Sequence, residues 1–485
     1  MKQPNVLYIF ADQLRYNAVG FNGNRVVQTP QLDGLAREGM VMDEAISSCP
    51  ICAPYRGQLL TGRYSHANGV MDNEYLPNEG QTSLADAFGQ AGYRTAYIGK
   101  WHLGHAPFDE AARAGFDDLL AYNNGHDYYN ISYWRNEQGP FPMVDFAPFV
   151  ETQLTLDYIQ EHTKARPEQP FCAVLSWGPP HWCFDDTQSY LGYPQQFNTY
   201  DSDRMDVSAN VPPQFEAFAR EELCHYYAMT TALDQCIGKI VAGLERLGLA
   251  EDTILCFTSD HGDHLSSHGF GKPVDAWMHH TLQASKATPF EESVHVPFVL
   301  RYPAKVTGNQ RSSVPFSSVD VMPTLLGLAG LDTPAGVQGQ DLSHVFTGGE
   351  GSEPDSTFLQ ILGPGWPTRS KWVGLWRGVR TPRYTYARWH DRDGLRLLFD
   401  RERDPLELNN VVDDPEYKDV AEKLEQRLKQ WLSDTQDPFD TGARLPATDM
   451  LDVQQRLSHE MWYTQAPSEY SRAIEGYKNA IVRQG

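Results

Sequence analysis

Short apolar runs recur along the chain, and each is followed by a polar residue and then by a helical pattern. Continuous apolar runs of this length are typical of strands that are covered on both faces, as in a parallel sheet. Together with the helical patterns between them, they predict an α/β fold: a large, mostly parallel sheet sandwiched by helices. The runs lie at 5–10, 94–99, 171–177, 253–259 and 296–303, and the helical patterns lie at 29–39, 83–91, 217–247 and 319–329.

Four polar residues stand directly at the ends of these runs or just beyond them. They are Asp12, Lys100, His181 and Asp260. In an open α/β sheet, ligands bind beyond the carboxyl ends of the strands. We therefore expect these four side chains, which are far apart along the chain, to meet in one crevice.

The pattern changes near residue 364. Short strand-like segments at 372–379, 383–389 and 395–400 are joined by tight turns, and a charged amphipathic helix follows at 417–433. This predicts a smaller C-terminal α+β domain with an antiparallel sheet. We divide the chain into an α/β domain at 1–363, a C-terminal subdomain at 364–440, and an extension at 441–485 that packs on the body.

The composition is that of a folded, strongly acidic protein. Hydrophobic residues make up 41% of the chain, and the formal net charge is −23. Such a charge argues against nucleic acid and against an anionic membrane as partners, so any site for an anion has to be built locally. The seven cysteines are an odd number, which favours free thiols in a reducing compartment.

The N-terminal apolar run at 6–11 is too short for a signal peptide core or a membrane span. We therefore expect a cytoplasmic protein, or a periplasmic or secreted one if a leader has been removed.

The motif with the most specific chemistry is CAPYRGQLLTGR, which starts at Cys52. Pro54 suits the first turn of a helix, which would end at Gly62. Cys52 then lies at the helix N-terminus, where the dipole favours negative charge. Arg56, four residues later, lies on the same helix face, so one anion can contact both residues.

This CxPxR motif with the following LTGR resembles the signature of the sulfatase family, within the alkaline phosphatase superfamily. Further blocks resemble the family in the expected order, over roughly residues 4–435: PNVLYIFADQ, TSLADAFGQAGYRTAYIGKWHLG, TSDHGD and LLFDRERDPLELNNVVDDP. The resemblance implies that a formylglycine-generating enzyme oxidises Cys52 to formylglycine. The hydrated aldehyde then attacks the sulfur of a sulfate ester, and its second hydroxyl drives the release of sulfate.

The resemblance also implies a divalent metal held by residue 52 and four other residues. These are Asp12, Gln13, Asp260 and His261; the carboxylate and amide oxygens of the first three suit a hard cation, and His261 adds an imidazole. The family pattern implies Ca²⁺. Many members have Asp in place of Gln13 and Asn in place of His261, and the exchange favours Mn²⁺ over Ca²⁺, so Mn²⁺ and Mg²⁺ stay open. Asp263 is expected to support the site or cap a turn.

The family's cationic and acid–base groups carry over onto three positions of this chain. By resemblance, Lys100 bridges residue 52 and sulfate, His102 holds or deprotonates the formylglycine hydroxyl, and His181 protonates the leaving oxygen. A last lysine precedes the FEES block; Lys286 fits by spacing, and Lys272 is the competitor.

Aromatic, His-rich insertions suit sugar rings, although surface loops packed on the body are an equal alternative. We expect at least one of them to contact substrate, with His126 as a substrate-pocket residue. The acidic charge favours a pocket for a small sulfated mono- or oligosaccharide over a long polyanion. The insertions lie at 122–135, 182–194, 277–280 and 364–372.

Two other functions compete with the sulfatase prediction. Gln13 and His261 resemble the phosphonate monoester hydrolase branch, which indicates a phosphonate monoester or phosphodiester hydrolase on the same scaffold. The Lys100–His102 pair argues against it, because that branch lacks the pair. A sulfated-glycan-binding protein without turnover is the third alternative, if Cys52 is never oxidised.

Overall fold

The computed structural model describes residues 3–73, 75–143, 145–182, 199–269, 285–362, 375–390 and 394–441. Its main layer is a ten-stranded sheet, and a separate four-stranded sheet follows near the C-terminus. The strands, numbered β1 to β16 in chain order, are Asn5–Asp12, Met40–Met42, Ala45–Ile46, Arg94–Lys100, Asp118–Tyr122, Ile131–Arg135, Gln138–Met143, Phe171–Pro180, Thr253–Ser259, Phe298–Arg301, Gln310–Ser312, Phe316–Ser317, Thr357–Ile361, Trp376–Arg380, Tyr384–Trp389 and Arg396–Asp400.

The centre of the large sheet is parallel. Its order is β11-β2-β10-β9-β1-β8-β4-β5-β6-β7, and the five strands from β9 to β5 pair in parallel. Every residue of β1, β8 and β9 is buried, as expected for strands with helices on both faces. The predicted α/β class, with a mostly parallel sheet and a smaller antiparallel one, is therefore confirmed.

The fifth apolar run also forms a strand of this sheet, but it runs in the opposite direction. β10 is antiparallel to both β9 and β2. After β9, the chain stays at the carboxyl edge of the sheet, where Asp260 and Lys286 lie close to the same side chains. It therefore enters β10 from that edge and has to run back along its neighbour.

Helices cover both faces of the large sheet. Leu32 of the first helix and Ile159 and Leu233 of two long ones belong to one buried cluster, whereas Leu60 and Leu325 belong to the cluster on the other face. The helices, numbered α1 to α10, are Pro30–Glu38, Cys52–Thr61, Ser65–Asn68, Leu84–Gln90, Ala147–Ala165, Glu216–Arg246, Glu291–Val294, Val321–Ala329, Ser343–Thr347 and Lys418–Thr435.

Part of the predicted insertion at 122–135 belongs to the sheet itself. β6 pairs antiparallel with β5 on one side and with β7 on the other, so this segment extends the sheet. Tyr128 and Tyr133 are fully buried. Tyr128 and Tyr133 thus belong to the core, whereas His126 stacks on His181 at the end of β8.

The C-terminal sheet has the order β13-β14-β15-β16 and is antiparallel throughout. Helix α10 packs on it through Leu424, Leu428 and Leu432, which join a third buried cluster. β13 precedes residue 364, so this sheet also uses chain that the sequence analysis assigned to the α/β domain. Of the expected extension, residues 442–485 lie outside the described residues.

In the ranges that the structure describes, no helix has both the length and the apolar character needed to cross a membrane.

Candidate active site

The ends of four adjacent parallel strands bring the polar residues together. In the order β9, β1, β8 and β4, these strands are followed or closed by Asp260, Asp12, His181 and Lys100. Backbone bonds join the ends: His181 N donates to Asp12 O over 3.0 Å, and Asp260 N donates to Ala11 O over 3.1 Å. Residues that are far apart along the chain therefore share one buried crevice.

Cys52 enters this crevice as the first residue of α2. Ile51 before it is extended, and Gly62 ends the helix with a left-handed φ of 59°, a conformation that glycine adopts without strain. The Cys52 sulfur lies 3.2 Å from His261 Nε2, 3.2 Å from Lys286 Nζ and 3.5 Å from Asp12 Oδ1. The thiol therefore faces both the acidic groups and a lysine.

Arg56, one turn further along α2, is 1% exposed and directed inward. Its Nη1 donates to the Lys100 carbonyl oxygen and the Ser176 hydroxyl, each over 2.6 Å, and to the Tyr97 hydroxyl over 2.8 Å. Its Nη2 lies 3.3 Å from Asp12 Oδ2 and 3.7 Å from Asp260 Oδ2. The guanidinium thus ties the helix to three strand ends.

Asp12, Cys52, Asp260 and His261 form a group that can hold a metal ion. One ligand atom from each lies within 4.8 Å of all the others, and all four residues are buried. Asp260 Oδ2 is buried without a hydrogen-bond partner among the described residues. Two carboxylates, an imidazole and an adjacent amide oxygen of Gln13 are suitable ligands for a divalent cation, so the residues fit the metal that the family implies.

The two carboxylates respond to their surroundings in opposite directions. Burial raises the pKa of Asp12, but Lys100, His181, Lys286 and His261 outweigh it and hold this pKa well below its usual range. Burial and the nearby Asp12 carboxylate raise the pKa of Asp260. A cation bound between the two carboxylates stabilises the charged form of both. The effect is larger for Asp260, whose negative charge is less well balanced by the positive groups of the protein.

The two lysines have different neighbours. Lys100 Nζ is fully buried and donates to Asp12 Oδ2 over 2.7 Å, which forms an ion pair. Lys286 Nζ donates to Gln13 Oε1 over 2.9 Å and contacts the Cys52 sulfur. Burial lowers the pKa of Lys286, but Cys52, Asp12 and Asp260 raise it above its usual value, so this lysine is charged. Lys272, its competitor from the sequence analysis, lies outside the described residues.

Three buried histidines line the side of the crevice near Lys100. His126 and His181 stack with ring centroids 4.0 Å apart. His102 has a left-handed φ of 54°, and neither of its ring nitrogens has a hydrogen-bond partner among the described residues. Burial, helped by neighbouring cations and histidines, lowers the pKa of each well below the usual value, so all three are neutral near pH 7.

Several residues of this site were not singled out from the sequence. Tyr97 and Ser176 bind Arg56, and Ser285 binds the Gln13 side chain. Asp263, which was expected to support the site or cap a turn, accepts from the Gln13 amide nitrogen and from Leu265 N. Ser285 precedes Lys286, and Ser176 lies inside an apolar run. Neither serine belongs to a motif of its own, so each could be assigned to the site only once the position of its neighbours was known. The expected insertions at 277–280 and 364–372 lie outside the described residues, as does 182–194 except for Trp182.

Comparisons with known proteins identify the family of this chain. The family model described as "Sulfatase" matches residues 4–331, and the model "N-sulphoglucosamine sulphohydrolase, C-terminal" matches residues 283–434. The ulvan-active sulfatase of Formosa agariphila is 34% identical, covering 90% of this chain and 82% of that protein. The endo-4-O-sulfatase of Bacteroides thetaiotaomicron is 30% identical, covering 91% of this chain and 94% of the relative.

Solved structures give the same result. A Bacteroides thetaiotaomicron structure described with the metabolism of multiple glycosaminoglycans has a TM-score of 0.79 at 28% identity, covering 93% of this chain and 99% of that one. The phosphonate monoester hydrolase of Agrobacterium radiobacter, at 20% identity and a TM-score of 0.71, shares the fold alone. With a matching family model over most of its length and a relative that is 34% identical over 90% of this chain, this chain belongs to the sulfatase family, the hydrolases of sulfate esters.

Proposed function

We propose that this protein removes sulfate from a small sulfated carbohydrate, with a formylglycine made from Cys52 as nucleophile. The observation that carries the proposal is the position of Cys52: it opens α2 and contacts Lys286, His261 and Asp12 within 3.5 Å. A thiol kept only for packing needs no such charged surroundings. Oxidised to formylglycine and hydrated, residue 52 supplies one hydroxyl for attack on sulfur and a second for expulsion of sulfate.

We propose a divalent cation at Asp12, Gln13, Asp260 and His261, beside residue 52. When bound, it supplies positive charge that favours an ionised hydroxyl at residue 52 and neutralises sulfate oxygens. Ca²⁺ is the ion that the family pattern suggests. The imidazole of His261 and the uncharged amide of Gln13 keep Mn²⁺ and Mg²⁺ as alternatives.

The cationic groups of the chain divide their tasks by position. Lys100 and Arg56 keep Asp12 ionised, because both contact Asp12 Oδ2 from inside the protein. Lys286 contacts the residue 52 side chain directly and is the lysine placed to hold a sulfate oxygen beside it. The ion pair of Lys100 with Asp12 supports a role in fixing this carboxylate, and the contact of Lys100 with residue 52 and sulfate stays a prediction.

His181 is the residue we propose as proton donor to the leaving alcohol. Its Nδ1 lies 2.9 Å from the Trp182 carbonyl oxygen, which only accepts, so this nitrogen carries a proton. Donation from Nε2 therefore requires the doubly protonated ring, which a bound sulfate ester favours because its negative charge raises the pKa of the histidine. His102, buried beside Lys100, is proposed as the group that receives the proton of the residue 52 hydroxyl.

A stack of three rings supports a carbohydrate as the alcohol part of the ester. His126 stacks on His181, and His181 stacks on Trp182 with centroids 5.4 Å apart. The flat faces and polar edges of such rings suit a sugar. The relatives named above for ulvan and for glycosaminoglycans point to the same class of substrate.

Mass spectrometry and sulfate release together test this function. Protein co-expressed with a formylglycine-generating enzyme should yield a residue 52 peptide lighter by the difference between CH₂SH and CHO, and it should release sulfate from sulfated mono- or oligosaccharides. Cys52→Ala should abolish turnover, whereas Cys172→Ala, which removes a buried thiol from β8, should keep it. Near-normal activity of Cys52→Ala, or faster turnover of a phosphodiester than of any sulfate ester, would contradict the proposal.

A further inference from the structure

The backbone of Gln13 is held in an uncommon conformation at the proposed cation site. Its φ is 71°, in the left-handed region that side chains other than glycine rarely adopt. Gln13 N donates to Asp260 Oδ1 over 2.9 Å, and the Tyr226 hydroxyl donates to Gln13 O over 2.5 Å. These bonds fix the backbone of Gln13 and hence the position of its Cβ. The orientation of the side-chain amide then depends on the groups that contact it.

The two ends of the Gln13 amide face groups of opposite character. Its Nε2 donates to Asp263 Oδ2 over 2.5 Å and to Ser285 Oγ over 3.0 Å, while Oε1 accepts from Lys286 Nζ over 2.9 Å. An ammonium group only donates and a carboxylate only accepts. The contacts therefore decide which end is oxygen and which is nitrogen, and they direct the oxygen towards Cys52 and Lys286.

Asp263 is itself firmly anchored. It is 1% exposed, and its second oxygen, Oδ1, accepts from Leu265 N over 2.9 Å. The turn after β9 thus presents one carboxylate oxygen to the backbone and the other to Gln13. Many members of the family have an acid at the position of Gln13. In this chain the negative charge is instead carried by Asp263, which is hydrogen-bonded to the Gln13 amide.

We propose that Asp263 is a positioning residue for the cation site: it holds the Gln13 amide nitrogen so that only the oxygen faces the ion. The inference rests on the proposed cation site and adds a determinant of its affinity. Hydrogen bonds from outer groups to metal ligands typically contribute roughly 10- to 100-fold in affinity. The carboxylate of Asp263 also polarises the amide, which makes Oε1 a better ligand.

Asp263→Asn tests the orientation with a nearly isosteric change. Leu265 N requires an acceptor, so the new amide turns its oxygen to Leu265 and its NH₂ to Gln13. The Gln13 amide then has to reverse, which places its own NH₂ against the cation and Lys286. We expect affinity for Ca²⁺ and for Mn²⁺, measured by calorimetric titration of metal-stripped protein, to fall by roughly 10- to 100-fold.

The exchange of both residues provides the rescue. In Gln13→Glu/Asp263→Asn, one carboxylate oxygen of residue 13 accepts from the new amide and the other faces the cation, so affinity should return to near the wild-type value. Gln13→Glu alone places two carboxylates in hydrogen-bond contact and should weaken binding, although it adds a negative charge to the site. Glu222→Gln is the matched control: it neutralises a half-buried acid that accepts from the Ser266 hydroxyl, so metal affinity should stay at the wild-type value.

Each outcome bears on a separate claim. Wild-type affinity in Asp263→Asn, tighter binding by Gln13→Glu, or no rescue in the double variant would overturn the role of Asp263. The single Gln13→Glu variant keeps the test valid if Asp263→Asn does not fold. A wild-type protein that binds neither Ca²⁺ nor Mn²⁺ would overturn the cation site itself, and this inference with it.

Discussion

The Arg56 side chain extends from α2 to three strand ends. The sequence places it on the same helix face as Cys52, which predicted a contact with sulfate. In the structure, Nη1 donates to Tyr97, Ser176 and the Lys100 carbonyl, and Nη2 faces the two carboxylates. We infer that Arg56 acts mainly by holding Asp12 and Asp260 in their charged geometry.

Arg56→Ala should therefore reduce stability as well as turnover. Removal of one partner from a buried ion pair costs about 3–5 kcal/mol, because the remaining charge stays buried. Arg56→Lys keeps the charge but loses the forked geometry, so we expect an intermediate loss. Urea unfolding measures both variants, with Arg403→Ala as the control, because the ion pair of Arg403 with Glu416 is exposed and screened by solvent. A stable Arg56→Ala that is impaired in substrate binding alone would favour the sulfate contact instead.

His126 gives a second prediction at the residue scale. Its Nδ1 lies 3.1 Å from the Tyr128 hydroxyl, whose hydrogen faces the carbonyl oxygens of Gly178 and His181. His126 Nδ1 therefore donates, and the ring is held flat against His181. A ring pair of this kind contributes about 0.5–1.5 kcal/mol, which corresponds to roughly 2- to 12-fold in rate.

We expect His126→Ala to lower kcat/KM for a sulfated sugar by that factor, and His126→Phe to keep part of it. Because the contact is with His181, a small aryl sulfate should show a loss as well. His344→Ala in α9 serves as the control. Unchanged steady-state kinetics in His126→Ala would show that the stack contributes nothing to catalysis.

At the residue scale, the sequence predicted which side chains lie at the strand ends, but it did not predict which rings stack on each other. Asp12, Lys100, His181 and Asp260 follow apolar runs, so chain order alone indicated a shared edge. The contact between His126 and His181 depends on how the segment after β5 folds back before β6, and no local pattern encodes that path.

At the scale of elements, α5 shows where the apolar pattern fails. Its buried face includes Glu151, Thr152, Thr155 and His162, so the helix lacks the apolar stripe that identified the other helices. Burial raises the pKa of Glu151 to about 8, and the Tyr133 hydroxyl donates to it over 2.8 Å. A polar helix face that is buried by tertiary contacts is not visible from periodicity. The direction of β10 could not be predicted for a related reason, since an apolar run does not encode which strand it pairs with.

Helix α7 shows how a short element is fixed by charge. Arg380 from β14 donates to both carboxylate oxygens of Glu291, over 2.6 and 2.8 Å, and His295 lies 2.8 Å from it. Burial raises the pKa of Glu291, but Arg380, Arg401 and His295 hold it well below its usual range. The paired carboxylate of Glu291 therefore stabilises the fold at any pH at which a glutamate in the unfolded chain is ionised.

Glu291→Gln should lower the free energy of unfolding by about 3–5 kcal/mol at pH 7. A carboxyl whose folded pKa is depressed stabilises above its unfolded pKa, about 4.3, and this contribution is lost as pH falls towards the folded pKa. The difference between wild type and variant should therefore shrink from pH 5 to pH 3. Urea unfolding across that range, with Glu416→Gln as the exposed control, measures it; a difference that is constant with pH would contradict the ion-pair account.

At the scale of the whole molecule, the C-terminal sheet contacts the segment that carries Lys286. Trp376 Nε1 donates to the Ala287 carbonyl oxygen over 3.2 Å, next to Lys286, and the Arg380–Glu291 pair holds the other end of the same segment. Lys286 therefore depends on contacts from residues that follow it by about a hundred positions in the chain. The sequence predicted both sheets but not that the smaller one fixes a loop of the larger.

The cation should link this assembled site to global stability. Its proposed ligands come from β1, α2 and the turn after β9, so the site exists only in the folded chain. An ion that binds only the folded state at a free concentration 100 times its Kd adds about 2.7 kcal/mol to the free energy of unfolding. We expect Ca²⁺ or Mn²⁺ to raise the Tm of metal-stripped protein, and EDTA to reverse the shift and inactivate the enzyme.

The net charge of −23 requires a control for non-specific cation binding. Sodium chloride at matched ionic strength screens the acidic surface without occupying the site, so it should reproduce only a small part of the shift. Asp260→Asn removes a ligand and keeps the surface, and its Tm should respond to Ca²⁺ no more than to matched sodium chloride. If this variant shows the full wild-type shift, or if the enzyme keeps full activity in EDTA after time for exchange, then a cation at these residues does not take part in the reaction.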